Sequence, residues 1–184
     1  MKSKTTAPDD LLTAVKNDDR ESVKAFIKAG ADIEARDTAG HTPLYFACNA
    51  NHDEIARMLI AAGADIRKRD HSDITPLHCA CMSNPELALF LIEKGADPCA
   101  RDKSGTTPLH LACLKGHTSV VRVILNYNAE GSVIVEDGLT PLDCAVQFLK
   151  PDNPAREEII DLFREHCPEM VMEAYCTART STSP

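Results

Sequence analysis

The chain has 184 residues, 43% of them hydrophobic, enough for one core and too few to call for two domains. Its 20 basic and 28 acidic residues leave a net charge of −8, which repels nucleic-acid phosphates and argues against nucleic acid as a partner. MKSKTTAPDD at the N-terminus carries no apolar run, and nowhere does the stretch of about 18 apolar residues needed to cross a membrane occur, so a soluble, unexported protein is expected.

Taken in chain order, the elements repeat. HTPLYFAC begins at His41, ITPLHCAC at Ile74, TTPLHLAC at Thr106 and LTPLDCAV at Leu139, in steps of 33, 32 and 33 residues. A second marker keeps the same beat: AGAD at Ala29 and Ala62, KGAD at Lys94 and a degenerate YNAE at Tyr127. Thr42, Thr75, Thr107 and Thr140 stand where a hydroxyl can cap a helix, and the proline after each suits the first helical position, where its missing N–H costs nothing. A second helix follows each first one, with apolar residues four apart: Ile55 and Leu59, Leu87 and Leu91, Val120 and Ile124, Ile159 and Phe163. Gly30, Gly63 and Gly95, with Asn128 in the fourth place, are suited to left-handed helix termination. From each of these to the next capping threonine is 12 residues, a polar, hairpin-like connection.

The motifs DTAGHTPL, DKSGTTPLHLACLKGH and the GAD triplets closely resemble the ankyrin repeat, a unit of about 33 residues with a turn and two helices. The resemblance runs from about Asp9 to Cys167 and implies an all-α repeat solenoid of about five helix pairs. A single domain over residues 1–176 is expected: an N-terminal cap repeat at 9–38, repeats at 39–71, 72–103 and 104–136, and a C-terminal capping repeat at 137–176. In the first unit Asp9 and Asp10 stand in the places of threonine and proline, and Ser22 takes the place of Ile55, as suits a terminal repeat with one neighbour. In the last, Thr140 to Ile159 spans 19 residues where Thr42 to Ile55 spans 13. A rigid loop at 149–154, held by Pro151 and Pro154, is therefore expected. A further turn or two of helix within EMVMEAY and a disordered tail at 177–184 complete the reading.

Eight cysteines could suggest disulfides, but a chain with its own core in a cytosol-like compartment favours reduced thiols. A cytoplasmic location is expected, with the nucleus or delivery into a host cell as alternatives. Cys48, Cys81 and Cys113 share one register, and a catalytic or metal-binding residue is rarely copied into every repeat, whereas a small packing residue must be. His78 and His110 share another, three residues past the capping threonine, where a ring can reach back to the helix start; the resemblance implies a structural hydrogen-bonding role there. Tyr45 and Asp143 replace that histidine in the flanking repeats. His78, Cys79 and Cys81 lie too close together to surround an ion, and no phosphate cradle, nucleophile elbow or HExxH motif is present. No catalytic, cofactor-binding or metal-binding residue is expected, and the protein is read as a non-enzymatic monomer.

Ankyrin repeat proteins act overwhelmingly as protein-binding modules. The resemblance places partner contacts on Thr38, Ala39 and His41; His71, Ser72 and Ile74; Lys103, Ser104 and Thr106; and, at the ends of the first helices, on Met82, Ser83, Leu114 and Lys115. Ile74, Met82 and Leu114 either form an apolar anchor patch or are partly covered by neighbouring repeats, and arginines at both Met82 and Leu114 are expected to abolish binding without loss of stability. Two rivals stand beside this reading: a regulatory module that inhibits an enzyme or enters a host cell as an effector, and a metal-dependent or thiol-based enzyme. Val133 to Val135 is an unusually apolar run for a connection, which packing or a partner would explain.

Overall fold

Each threonine and proline step opens a helix, and the glycines close the helices that follow. A computed structural model describes residues 10–127 and 139–168, which contain ten helices and no strand. They are α1 (Leu11–Lys16), α2 (Arg20–Lys28), α3 (Pro43–Asn49), α4 (Asp53–Ala61), α5 (Pro76–Ser83), α6 (Pro85–Glu93), α7 (Pro108–Lys115), α8 (Thr118–Tyr127), α9 (Pro141–Phe148) and α10 (Pro154–His166). Thr42, Thr75, Thr107 and Thr140 are the N-caps of α3, α5, α7 and α9, each in extended conformation with proline directly after it. Gly63 and Gly95 take φ of 99° and 92° just beyond α4 and α6, the left-handed conformation that a side chain would strain. Asn128, the run Val133 to Val135, residues 169–175 and the tail at 177–184 lie outside the described residues.

The first helices stack in the order α1, α3, α5, α7, α9, and the second helices form a looser row behind them. First helices have 6 to 8 residues and second helices 9 to 13. A shorter, more tightly packed row on one side curves the stack, leaving first helices and connections on the hollow face. The core lies between the rows and repeats with them. Ala14, Ala47, Ala80, Ala112 and Ala145 are wholly buried at one register, and Leu44, Leu77, Leu109 and Leu142 are buried at another. Alanine is required where first helices approach most closely, and leucine fills the wider space between rows.

The single 32-residue step has a local cause. One residue, Asn84, is at once the C-cap of α5 and the N-cap of α6, its Oδ1 accepting from the amides of Glu86 and Leu87 at 2.9 and 3.0 Å. The other inter-helix turns need more residues. Neighbouring units are tied there in a recurring way: His52 Nδ1 lies 2.9 Å from the carbonyl of Val15, Ser83 Oγ donates to that of Cys48 at 2.6 Å, and His117 Nδ1 lies 3.0 Å from that of Cys81. Val15, Cys48 and Cys81 are one register, so three different side chains make the same tie to the preceding repeat.

Both ends depart from expectation. At the first unit the cap is Asp10, in the proline's register, whose Oδ1 accepts from the amide of Thr13 at 2.7 Å; α1 consequently starts one residue later, and Asp9 lies outside the described residues. Ser22 is a capping partner, its amide and hydroxyl both donating to Asp19, while the adjacent Val23 supplies the buried contact on α2. At the last unit the inserted residues are not one loop over 149–154. Pro154 is the first residue of α10, Asn153 caps it, and α10 is 13 residues long, so half of the insertion is spent on an earlier helix start. Proline at that position starts a helix as readily as it stiffens a loop.

Candidate functional site

The hollow face is built from one motif used three times. Asp37, Asp70 and Asp102 occupy one register at the base of successive connections, and each donates its amide to the carbonyl of the residue four further on, at 3.1, 3.0 and 3.0 Å. One carboxylate oxygen of each closes the turn. Asp37 Oδ1 accepts from Ala39 and His41, Asp70 Oδ1 from Ser72 and Ile74, and Asp102 Oδ1 from Ser104 and Thr106, all at 2.8 to 2.9 Å. Successive tips are stitched by main-chain bonds from His71 to Ala39 and from Lys103 to Ser72, both 3.0 Å. Gly40 lets the tips approach, since a side chain there would place its Cβ 2.6 Å from the His71 ring. Arginines reinforce the stack: Arg36 donates to the carbonyl of Arg69, and Arg69 to that of Arg101.

Between these connections and the first helices lies a groove of about 250 Å³, lined by Tyr45 and Asn49 from α3, Ile74, His78, Cys79, Met82 and Asp102 from the third repeat, and Thr106 and Leu111 from the fourth. Its floor is mainly apolar, and Met82, 37% exposed, stands on it. Of the residues expected to touch a partner, Ile74, Met82 and Thr106 line this groove. Thr38, His71, Ser72, Lys103, Ser104 and Lys115 are exposed along the tips and helix ends, while Ala39 and His41 are half-buried between tips. Leu114 is half-buried against the core, as Ile74 and Leu111 are, so arginine there would disturb packing, and the Ser83 hydroxyl is committed to the Cys48 carbonyl. Tyr45, Asn49, Cys79 and Leu111 escaped the sequence reading. Their signal was present: Tyr45 and Asn49 are four apart and Cys79 and Met82 three apart, which places each pair on one helix face.

The histidines are consumed by structure. His78 Nδ1 accepts from the amide and hydroxyl of Thr75 at 3.2 and 2.8 Å, and its Nε2–H donates to the carbonyl of Thr106 in the next repeat at 3.1 Å. The ring thus ties a helix cap to the following connection, and burial holds its pKa below the ordinary imidazole value. His110 Nδ1 accepts from Thr107 in the same manner. Asp143 preserves the device in the last repeat, accepting from the amide and hydroxyl of Thr140 at 2.8 and 2.7 Å. Tyr45 does not: its ring stacks on His41 with centroids 4.1 Å apart, and it joins the groove instead.

The thiols of α3, α5 and α7 are unsuited to nucleophilic chemistry. Cys48, Cys81 and Cys113 are wholly buried, and burial pushes each thiol well above its usual pKa. Cys79, at the groove wall, is pushed up to about 12 by burial. A protonated thiol is a poor nucleophile and a poor metal ligand. His110 is three residues from Cys113, and its Nδ1 is taken up by the helix cap. Among the described residues no group of three or more His, Cys, Asp or Glu side chains is placed to hold a metal, and no helix is long and apolar enough to cross a membrane.

Comparison with known sequences agrees with this architecture. The family model for ankyrin repeats in three copies matches residues 11–102, half of the chain, and a second, for ankyrin repeats in many copies, matches residues 91–145. The chain belongs to the ankyrin repeat family. Among curated proteins it is similar to human protein phosphatase 1 regulatory subunit 27, at 49% identity over 47 residues, and to its mouse counterpart at 47% over the same length. Each match covers 26% of this chain and 30% of the relative. A stacked ankyrin unit with structural histidines and a hollow apolar groove is an architecture for protein–protein interaction.

Proposed function

We propose that this ankyrin stack is a non-enzymatic, monomeric binding module that holds a protein partner in the groove between its first helices and its connections. The observation that carries the reading is the exposed Met82 on a mainly apolar groove floor, beside half-buried Ile74 and Leu111 and buried Cys79. The tips at Thr38, His71, Ser72, Lys103 and Ser104 would form the polar rim of the contact. A cytoplasmic setting agrees with the buried, unpaired thiols.

The test is affinity capture with quantitative mass spectrometry, comparing the parent chain with Met82→Arg combined with Asn49→Arg. Both positions are exposed, so helicity and melting are expected to hold while captured partners are lost. Val123→Arg, on the opposite row, is the control and is expected to retain them. Undiminished capture by the double variant would reject this face. A second reading, regulation of an enzyme by this module, is favoured by the stretch shared with a phosphatase regulatory subunit. Recovery of a phosphatase catalytic chain in the same experiment would support it.

A further inference from the structure

The three aspartates of the connections are equivalent in sequence and unequal in surroundings. Asp37 and Asp70 share His41: its Nδ1 lies 3.0 Å from Asp37 Oδ2 and its Nε2 lies 3.4 Å from Asp70 Oδ2. One imidazole thus occupies the outer oxygens of two carboxylates. The corresponding residue one repeat later is Ile74, which has nothing to offer Asp102. Asp102 Oδ1 closes its own turn with Ser104 and Thr106, no hydrogen bond or ion pair holds Oδ2 among the described residues, and the residue lines the groove with His78, on which its charge acts.

Among the described residues neither neighbouring cation forms an ion pair with Asp102. Arg69 donates to the carbonyls of Asp73 and Arg101, and Lys103, next in sequence, is at an exposed tip. His78, on the groove floor, is held neutral by burial, with Nδ1 on Thr75 and Nε2 on Thr106. Asp102 is the one acidic side chain among the nine lining residues. Covering an unpaired carboxylate with an apolar ligand strips its water and returns nothing, so a purely greasy segment is disfavoured at this spot. A cation recovers that loss through a charge-assisted hydrogen bond.

Resting on the groove reading above, the geometry points to an extended peptide segment as the occupant, one that seats an aliphatic or aromatic side chain against Ile74, Met82 and Leu111 and pairs a lysine or arginine with Asp102. The replacement of a histidine by Ile74 opens both halves of this site at once, since it lengthens the apolar floor and releases the carboxylate. The net charge of −8 assists the approach of such a segment.

The probe is a phage-displayed library of random linear peptides selected on the full chain, followed by fluorescence anisotropy with the synthesised winner. Selected peptides are expected to share one large apolar residue with a nearby lysine or arginine. Asp102→Asn retains the side-chain oxygen that closes the turn and removes the charge, and should weaken the winner about tenfold. Exchanging the peptide's basic residue for glutamine should weaken it by the same factor on the parent chain and have little further effect on Asp102→Asn. Equal losses on both chains, or a consensus without a basic residue, overturn this inference while leaving the groove reading intact. Indifference of the winner to Met82→Arg, or a selection that yields no peptide, overturns the groove reading and this inference with it. Thermal melting of each variant separates lost binding from lost fold.

Discussion

In the third repeat α5 and α6 have a neighbour on each side, and Leu77, Leu87 and Leu91 are wholly buried; in the first, α1 and α2 have one neighbour, Val23 alone is buried on α2, and Phe26 and Ile27 are half-exposed. The register is the same and the source of stability is not. A central unit is held by what presses on it, while a terminal unit compensates with local caps, Asp10 on α1 and Asp19 on α2. Position in the stack, more than sequence register, decides what a given side chain contributes.

Equivalent truncations should break or sharpen this contrast. Leu91→Ala should cost about 3 kcal/mol, since it empties a site wholly enclosed by the core. Phe26→Ala, its counterpart in the first repeat, should cost less, about 2 kcal/mol, because the ring is only partly buried. Equal losses in urea denaturation would dissolve the distinction between centre and end. His78→Ala should cost about 2 kcal/mol, because it strands the Thr75 amide and the Thr106 carbonyl and disconnects two repeats. Asp10→Ala, a cap on one short helix, should cost about 1 kcal/mol and act on the first repeat alone, readable as faster amide exchange confined to residues 11–28.

Acid should separate the two regions by window. His78 and His117 are both lowered from 6.5, chiefly by burial, so the unfolded chain takes up their protons first. Their contribution is complete above about pH 6.5 and declines as the pH falls below it. Asp10 and Asp19 are lowered from 3.8, chiefly by the amides of Thr13 and Ser22, so theirs is complete above about pH 4 and declines only below that. Urea midpoints between pH 7 and pH 5 should therefore drop for the parent and drop less for His78→Ala. An unchanged slope would remove His78 from the account. The smallest effect belongs to the exposed pair of Arg122 and Glu158, where Glu158→Gln should change stability by about 0.3 kcal/mol.

The period, the ten helices, their threonine caps and the buried stripe were all legible in sequence, because each is written by a residue that acts on its own neighbours: Thr75 caps, Pro76 starts, Gly95 ends. Less legible was whatever depends on the adjacent repeat. That Leu114 is half-buried while Met82 stands exposed in the groove follows from what lies beside α7 and α5, although both residues hold one register. Tyr45 was visible as a departure from histidine, but its stacking on His41 was not. The inserted residues of the last unit could be counted; their division between turn and helix depends on Asn153 capping where a loop was expected.

Cys48, Cys81 and Cys113 place a shielded sulfhydryl inside each of three successive layers, with Cys79 as a second in the middle one. A reagent in solution reaches one of them only when its own layer parts from the next. The chain thus carries built-in tags along its length, and the sequence in which they react with an alkylating agent reads out the order in which the pile unstacks.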